Sequence, residues 1–137
     1  MALPPNVQKL FTDRNFGVVT TVRADGTPHS TPVWIDAEGG RVGFNTAIGR
    51  AKERHLRRNP WVSVTVLPSE DLQSGYAVVY GKAVQFDDSD AADKHIDKLA
   101  KKYIDQDSYP WRSPEEKRVI VWIEPERIEG YGAGSTD

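Results

Sequence analysis

The sequence contains no cysteine, and that absence excludes several kinds of site. Disulfide bonds, thiolate nucleophiles and cysteine-ligated zinc or iron–sulfur centres all require this residue. Histidine is scarce as well, because only His29, His55 and His95 are present and their spacing matches neither an HxxxH nor an HExxH motif. We therefore predict that the protein has no metal site.

Long apolar runs and an excess of basic charge are also missing. No segment approaches the roughly 20 apolar residues that a bilayer span needs, and the first five residues lack the charged and apolar regions of a signal peptide. Lysine and arginine total 18 against 20 aspartates and glutamates, for a formal charge of -2, so no basic field covers the molecule. We expect a cytoplasmic protein with no membrane partner and no nucleic-acid partner.

The length of 137 residues suits one ordinary domain, and neither a repeat nor a low-complexity linker divides the chain. We predict a single domain over residues 1–137. The sequence shows no Ser-His-Asp set, no pair of carboxylates in a plausible cleft and no P-loop. Hypotheses of a hydrolase or a kinase therefore lack support.

Alternating apolar residues predict six strands, at residues 16–23, 28–36, 41–46, 61–67, 75–86 and 119–124, the last of which resumes at 127–130. Helical spacing predicts helices around Val7–Phe11, over 49–59 and after Ser89, and a short helical turn after Ser113. This order does not fit the regular alternation of a parallel α/β sheet. The predicted fold is mainly β, an antiparallel β-barrel with peripheral helices.

Proline and glycine mark special positions within two of the predicted strands. Pro28 and Pro32 lie in the second strand, and since proline donates no hydrogen bond, part of that strand should lie at an edge or a bulge. A flat ring could dock on such an interrupted edge, although Pro32 is equally explained as protection of the edge. Gly81 marks a place where the fifth strand could bend or bulge.

The segment 45–60 is the richest in candidate binding residues, and five of the 18 basic residues lie within positions 50–58. The free N–H groups at a helix N-terminus make that end positive, so Arg50 and Lys52 in the first turn indicate a bound anion. Three further residues complete a predicted phosphate pocket. Gly49 lets the backbone approach the phosphate closely, and Asn45 and Thr46 add hydrogen-bonding groups.

At about 100° per residue, the helix predicted over 49–59 places one basic residue on its inward side. The inward arc consists of Ile48, Ala51, Lys52, His55 and Leu56. Lys52 is therefore predicted to face the anion. The basic residues of the outer side, predicted to be solvated, are Arg54, Arg57 and Arg58, with an i,i+4 pair between Glu53 and Arg57.

The other chemically active side chains have structural explanations. His55 is predicted to be a core residue and His95 to lie on a helix surface, whereas His29 beside the first hairpin could face a substrate. Trp34 adjoins the candidate ring-binding strand. Carboxylates that surround the start of a helix, where they complement its dipole, are Asp87, Asp88, Asp90 and Asp93.

The order of these segments resembles a known family. Arg50-Ala51-Lys52 is followed by Leu56-Arg57-Arg58-Asn59-Pro60, between a strand that contains Thr31-Pro32-Val33 and a valine-rich strand. Over nearly its whole length the chain resembles the split β-barrel flavin and deazaflavin oxidoreductases, which are relatives of pyridoxamine-phosphate oxidase. The resemblance is strongest to their F420-dependent branch in actinobacteria.

The resemblance implies an FMN-binding-like, six-stranded antiparallel split barrel that forms homodimers, with two cofactors in grooves at the subunit interface. The resemblance also implies which residues bind the cofactor. Its phosphate would be held by Arg50, Ala51 and Lys52, and its ring would be lined by Thr31, Pro32 and Val33. The ribityl chain would be flanked by Asn45 and Thr46, and the groove wall would be completed by Ser74, Gly75, Tyr76 and Ala77.

The function implied by the resemblance is hydride transfer from reduced coenzyme F420 to a small organic acceptor. Since the cofactor supplies the hydride, no catalytic side chain is required of the protein. Two alternatives stay open: an FMN-dependent oxidoreductase of the same fold, and a non-catalytic carrier of flavin or haem. The acceptor cannot be named, because the loops expected to bind it, at 68–74 and 106–112, have no shape that the sequence specifies.

Overall fold

Six strands and three helices make up most of the chain in the computed structural model, which describes all 137 residues. The helices are α1 (Pro5–Thr12), α2 (Ala51–Arg58) and α3 (Asp90–Ile104). The strands are β1 (Phe16–Val22), β2 (Pro28–Glu38), β3 (Arg41–Ala47), β4 (Trp61–Val66), β5 (Gly75–Asp87) and β6 (Arg118–Gly132). A 3₁₀ turn, Leu72–Ser74, leads into β5.

The six strands close into an antiparallel barrel in the order β1-β2-β3-β6-β5-β4. Hairpins join β1 to β2 and β2 to β3, and β6 closes the barrel between β3 and β5. In the first hairpin turn, Gly26 has a φ of 88°, which is the left-handed conformation expected of it. The predicted mainly β, antiparallel barrel with peripheral helices is confirmed.

β2 is divided between two partners. Its first half, residues 28–34, pairs with β1 alone, and its second half, residues 35–38, pairs with β3 alone. Pro28 and Pro32 both lie in the first half, where the second edge has no strand partner to receive an N–H. The predicted edge is confirmed, and it leaves a gap between β2 and the end of β3.

The long strands β5 and β6 bend where their register shifts. One shift falls between Tyr80 and Gly81, and a Cβ built on Gly81 would lie 2.0 Å from the carbonyl oxygen of Glu124. The predicted bulge at Gly81 is therefore confirmed. β6 itself is continuous, so the break predicted after Glu124 is wrong: Pro125 faces Gly81 at the shift, where the ladder is already interrupted.

One core of 18 buried residues fills the barrel. In β4 the predicted alternation holds, because Val62, Val64 and Val66 are buried while Trp61 on the opposite face is half exposed. α1 adds the three residues that its helical spacing predicted, Val7, Leu10 and Phe11. None of the helices has both the length and the apolar composition needed to cross a membrane.

α3 packs on β2, β3 and β6. Its N-cap is Ser89, as predicted, whose side chain accepts a hydrogen bond from the Ala91 N–H. The buried stripe of α3 contains the predicted residues Ala92, Ile96, Leu99 and Tyr103. The Tyr103 hydroxyl donates to the carbonyl of Asn15 at 2.5 Å and accepts from the N–H of Ile35 at 3.0 Å, so it fastens α3 to β2.

The helical turn predicted after Ser113 forms only an isolated turn. The Ser113 side chain accepts from the Glu115 N–H, and the Ser113 carbonyl accepts from the Glu116 N–H. Since β6 begins at Arg118, the chain has no further residues with which to extend this turn into a helix.

Candidate functional site

A cavity of about 270 Å³ opens beside the first half of β2. Its walls come from β1, β2, β3, the start of α2, α3, the segment 105–117 and the start of β6. The lining residues are Phe16, Pro32, Val33, Trp34, Asn45, Thr46, Arg50, Lys52, Ile96, Tyr109, Trp111 and Arg118. We call this cavity the β2 pocket.

The charge of its lining distinguishes the β2 pocket from two larger cavities. A cavity of about 730 Å³ between α1 and residues 68–71 has basic and acidic residues side by side, and Lys9 there pairs with Asp13 at 2.6 Å. A cavity of about 450 Å³ on the outside of β1, β4 and β5 has one residue of each sign, Glu126 and Arg127. The β2 pocket has three basic residues and no acidic one.

The structure brings together six of the residues predicted to bind a cofactor. These six pocket-lining residues are Pro32, Val33, Asn45, Thr46, Arg50 and Lys52. Thr31 and Ala51 adjoin the pocket in sequence without lining it, and both are half-buried. The Thr31 hydroxyl is buried and has no hydrogen-bond partner, and the same is true of the Thr46 hydroxyl.

The four residues Ser74–Ala77 lie elsewhere in the same chain. They stand at the start of β5, where Ala77 pairs with Val66 of β4, and Val66 in turn pairs with Gly17 of β1. One strand of the barrel, β4, therefore separates Ala77 from Phe16 at the pocket edge. Within one chain, this segment does not contribute to the β2 pocket.

Lys52 has the environment predicted for an anion-binding residue. Its side chain is half-buried and makes neither a hydrogen bond nor an ion pair within the chain. Burial lowers the pKa of Lys52, and the nearby charges of Arg50 and Arg118 lower it further. An anion in the pocket would offset the lost hydration of Lys52 and its repulsion by Arg50 and Arg118.

The start of α2 differs from the prediction in one respect. Arg50 is the N-cap rather than a residue of the first turn, and the first turn contains a buried carboxylate, Glu53. Glu53 accepts from the Gly49 N–H and from Arg57, both at 2.8 Å. Burial by itself would raise the pKa of Glu53, but these two partners outweigh it and lower the pKa. Part of the helix dipole is thus already neutralised within the chain.

The inward arc predicted for α2 is largely confirmed. His55 and Leu56 are buried, Ala51 and Lys52 are half-buried, and the outer residues Arg54, Arg57 and Arg58 are exposed. The predicted pair of Glu53 and Arg57 forms. Ile48, however, is exposed, because it precedes the helix in a turn where helical periodicity does not apply.

Arg118, the first residue of β6, is a pocket residue that the sequence prediction missed. It is only 5% exposed. Its Nε donates to Asn45 Oδ1 at 2.9 Å, its Nη1 lies 3.4 Å from Glu116, and its guanidinium stands over the Tyr109 ring. Burial lowers the pKa of Arg118. The only signal in the sequence was a charge at the head of an otherwise apolar strand.

Aromatic residues form another part of the pocket wall, next to Arg118. Trp34 stacks on Tyr103 with ring centroids 5.3 Å apart and meets Tyr109 edge to face. Trp111 adds an exposed ring near Trp34, at 6.5 Å. Sequence reasoning singled out Trp34 alone, because Tyr109 and Trp111 belong to the segment 105–117, which has no regular secondary structure.

The acidic residues near α3 hold that irregular segment in place. Arg112 pairs with Asp93 and Asp97, and Asp97 also accepts from the Tyr109 N–H at 2.8 Å. Asp87 accepts from Ser89 immediately before the helix. Through their contacts with Arg112 and Tyr109, Asp93 and Asp97 position the aromatic residues of the pocket.

The three histidines occupy different environments. His55 is buried and hydrogen-bonds the Thr21 hydroxyl through Nδ1 at 2.8 Å, which confirms its predicted core location. His29 packs edge to face on His55 and does not line the β2 pocket. The prediction that His95 lies on a helix surface is wrong: it is buried between α3 and the barrel, 3.3 Å from Asp36. The stripe of α3 that faces the barrel is wider than the spacing of its apolar residues indicated.

The pocket chemistry suits an anionic ligand that also carries a flat ring. Lys52 and the Thr46 hydroxyl are unpartnered groups at its inner end, and Arg50 and Arg118 share a single carboxylate, Glu116. The strand edge at Pro32 and the ring of Trp34 offer a flat surface nearby. The arrangement can hold a phosphate-bearing ring system, and it contains no nucleophile with an activating base.

Fold and site together define a class of protein, a split barrel with a basic pocket beside a divided strand. Residues 3–132 match a family described as Pyridoxamine 5'-phosphate oxidase. The chain belongs to this family, and its fold is that of a flavin-binding oxidoreductase. A comparison with curated proteins finds no match.

Solved structures with the same fold include an F420 reductase, which is 25% identical over 92% of this chain and 98% of that chain, with a TM-score of 0.78. The general stress protein 26 of Bacillus anthracis str. Sterne is 21% identical over 91% of this chain and 90% of its own, with a TM-score of 0.67. HupZ of Group A Streptococcus is 18% identical over 98% of both chains, with a TM-score of 0.69. The last two share the fold alone.

Proposed function

We propose that the protein is an F420-dependent oxidoreductase that transfers a hydride from the reduced deazaflavin coenzyme to a small organic acceptor. The observation that carries the proposal is the unpaired, half-buried Lys52 in a pocket with three basic residues and no acidic one. The similarity to an F420 reductase over 92% of the chain supports the choice of cofactor.

In this proposal each wall of the β2 pocket has a separate task. Lys52 and Arg50 bind the cofactor phosphate, with the Thr46 hydroxyl as an additional hydrogen-bonding group. The edge of β2 at Pro32 and Val33 lies along the ring. The cofactor supplies the hydride when it is bound, and the protein's share is to bind it, orient it and exclude water.

An FMN-dependent oxidoreductase is the second candidate, and membership of the pyridoxamine 5'-phosphate oxidase family favours it. FMN also presents a phosphate and a tricyclic ring, so the same residues would bind it. A third candidate, a non-catalytic carrier of flavin or haem, uses the same pocket without turnover.

We also propose that two chains form a homodimer and that the partner subunit completes each site. Ser74–Ala77, a segment that the family resemblance places in the cofactor groove, is separated by β4 from the β1 wall of the pocket in its own chain. Large apolar side chains are exposed on and around this part of the barrel: Phe16, Leu72, Tyr76 and Tyr131. A second chain would cover them and bring its own groove segment to the pocket.

Titration of the purified protein with F420, FMN and riboflavin, followed by absorbance and fluorescence, tests the choice of ligand. The proposal expects F420 to bind with one equivalent per chain and more tightly than FMN. Riboflavin, which lacks the phosphate, should bind more weakly than FMN. Tight binding of FMN without F420 would establish the second candidate, and binding of neither would contradict the proposed function.

A further inference from the structure

We propose that Arg118 is an anion-binding residue of the β2 pocket and that Asn45, His95 and Asp36 are positioning residues that hold its guanidinium there. The ligand identity rests on the proposed function, whereas the four residues form a continuous polar network within the chain itself. Asn45 then acts through Arg118 and not by contact with a ribityl chain.

The orientation of the Asn45 amide is fixed by two neighbours. The backbone carbonyl of Ala92, 2.9 Å away, can only accept a hydrogen bond, so the atom facing it is the Nδ2 donor. Arg118 Nε, 2.9 Å from the other end of the amide, can only donate, so it faces Oδ1. Both ends of the amide are thus occupied by the protein, and the side chain has little left to offer a ligand.

The same orientation determines which nitrogen of His95 carries the proton. Asn45 Nδ2 also lies 3.2 Å from His95 Nδ1, and since Nδ2 is a donor, Nδ1 is the acceptor. The proton of His95 is therefore on Nε2, which is buried, makes no hydrogen bond and lies 3.3 Å from Asp36 Oδ2. Donors and acceptors alternate in one direction from His95 to the Arg118 guanidinium, and we call these contacts, with the adjoining Asp36 carboxylate, the relay.

The network is buried and anchored at both ends. Asp36, His95 and Arg118 are each less than a tenth exposed. Asp36 accepts from Lys98 at 2.9 Å and from the Ala37 N–H at 2.9 Å, so its carboxylate is fixed. The network spans β2, α3, β3 and β6, and each of these elements also lines the pocket.

Arg118 has binding capacity that the chain does not use. Its Nε faces Asn45 and its Nη1 faces Glu116, but its Nη2 makes no hydrogen bond within the protein. Glu116 is shared with Arg50. Three of its five N–H donors are thus free, and a buried guanidinium in this state beside an unpaired lysine is stabilised by an anion in the pocket.

The chemistry of the guanidinium indicates the kind of group it binds. A planar fork held in one orientation recognises the paired oxygens of a phosphate or a carboxylate, whereas the ammonium of Lys52 acts as a point charge. We infer that the two residues take different oxygens of the same anionic ligand. The relay therefore fixes the orientation of the Arg118 guanidinium. The positive charges of Arg118 and Lys52 together balance the negative charge of the ligand.

Binding of FMN and riboflavin to Arg118→Ala and Arg118→Lys is the first test. Loss of the fork should weaken FMN binding by about 10- to 100-fold in Arg118→Ala, with a smaller loss in Arg118→Lys, and should leave riboflavin binding nearly unchanged. Arg127→Ala is the matched control, since it removes the same charge from an exposed position of the same strand. F420 is tested in parallel. Equal effects on FMN and riboflavin would overturn the assignment.

The relay is tested on the protein without cofactor. Nitrogen-15 spectra of the histidine rings should show His95 protonated on Nε2, and protonation on Nδ1 would overturn the relay. In His95→Phe, which preserves a ring against Trp122, FMN affinity should fall by about 3- to 10-fold while riboflavin affinity is unchanged. Unchanged FMN affinity in this variant would also contradict the relay.

Two outcomes separate this inference from the proposed function. If FMN or F420 binds and requires Lys52 but is indifferent to Arg118, the proposed function stands and the inference fails. If neither cofactor binds, the proposed function fails. In that case inorganic phosphate is the probe, and a shift of the Arg118 Nε–H resonance on adding phosphate, absent in Lys52→Ala, supports the anion site, whereas no shift overturns it.

Discussion

Lys52 occupies an environment that an ordinary surface lysine avoids. Its ammonium loses part of its hydration on burial, and two guanidinium groups, those of Arg50 and Arg118, lie close enough to lower its pKa further. No carboxylate within the chain compensates for either effect. An anion in the pocket would offset this electrostatic cost, as the proposed function requires of Lys52.

The first prediction compares Lys52→Ala with Arg57→Ala. A charge-assisted hydrogen bond to phosphate contributes about 1.5–3 kcal/mol, so Lys52→Ala should weaken binding of F420 or FMN by about tenfold to over a hundredfold. Arg57 is on the outer side of α2, where it pairs with Glu53 and stands over Phe86. Its substitution should change binding little. Calorimetry measures both, and equal losses would contradict the orientation assigned to α2.

The second prediction concerns Asp36 and acid stability. Burial by itself would raise the pKa of Asp36, but its contacts with His95 and Lys98 outweigh burial and lower the pKa to about 2. The folded value is below the unfolded value of about 3.9. The carboxylate thus stabilises the fold above about pH 4, by about 2 kcal/mol, and this contribution is lost as the pH falls towards 2.

Urea unfolding at a series of pH values tests this account of Asp36. Asp36→Asn should be about 2 kcal/mol less stable at pH 7 and should show a flatter decline between about pH 4 and pH 2. Asp88→Asn is the control, because Asp88 is exposed and makes no side-chain contact. A wild-type decline that persists in Asp36→Asn would assign acid sensitivity to other carboxylates.

At the scale of elements, the pocket exists because β2 changes partners halfway along its length. The two prolines of its first half remove N–H groups that a second strand would need, and β3 diverges from β2 just beyond Trp34. α2 begins where β3 ends, so its first turn faces the resulting gap. The change of partner along β2 therefore creates the pocket. The turn between β3 and α2 places Arg50 and Lys52 beside it.

The third prediction tests how α3 is fastened beside this gap. Tyr103→Phe removes a hydroxyl that accepts from the buried Ile35 N–H and donates to the Asn15 carbonyl. Since the two backbone groups lose their partner, the variant should be about 1–3 kcal/mol less stable. Tyr131→Phe, at an exposed ring whose hydroxyl makes no hydrogen bond, should be nearly neutral. Equal stabilities in thermal unfolding would show that the hydroxyl is dispensable.

Most elements could be predicted from the sequence because local rules determine them. Alternation identified β4, an N-cap serine identified α3, and prolines identified the edge of β2. The prediction failed where a residue's partner is distant in sequence. Pro125 stays within β6 because it faces a bulge in β5, and His95 is buried because α3 lies against three strands.

At the scale of the whole molecule, the difference between local patterns and contacts distant in sequence also explains which pocket residues could be predicted. The basic segment around Lys52 is contiguous in sequence, and so it was visible there. Arg118, Tyr109 and Trp111 reach the pocket only because β6 inserts between β3 and β5 and the segment before it is tied to α3 through Asp97. No local pattern encodes that closure, which depends on contacts across about 70 residues of sequence, as between Asn45 and Arg118.

The fourth prediction is that the protein is a homodimer. Several large apolar side chains on the outside of the barrel are exposed, including Trp61 and Tyr131, and a stable interface of standard size covers roughly 800 Å² on each partner. Light scattering at micromolar concentration should give twice the chain mass of 15.3 kDa. A Tyr76→Glu variant, in the segment that the proposal places at the interface, should favour the monomer, whereas Val84→Glu, towards the other end of β5, serves as a control. A monomeric wild type would count against the shared site.

A turnover assay distinguishes an enzyme from a carrier. The same assay tests whether His29 takes part in the reaction. Its ring lies against His55, with a buried Nδ1 that has no partner, and it does not line the β2 pocket. A general acid must reach the reacting atoms, and it contributes about 10²- to 10⁴-fold to the rate. The location of His29 therefore argues against such a role.

The fifth prediction is that His29→Ala keeps stoichiometric cofactor binding and loses at most about tenfold in turnover. Lys52→Ala should lose turnover at low cofactor concentration and recover most of it at saturation, because a phosphate contact far from the reacting carbon binds ground state and transition state alike. The assay follows oxidation of reduced F420 by quinones, enones and tetrapyrroles. A thousandfold loss in His29→Ala with unchanged binding would identify a proton donor. Wild-type oxidation no faster than in free solution would instead favour a carrier.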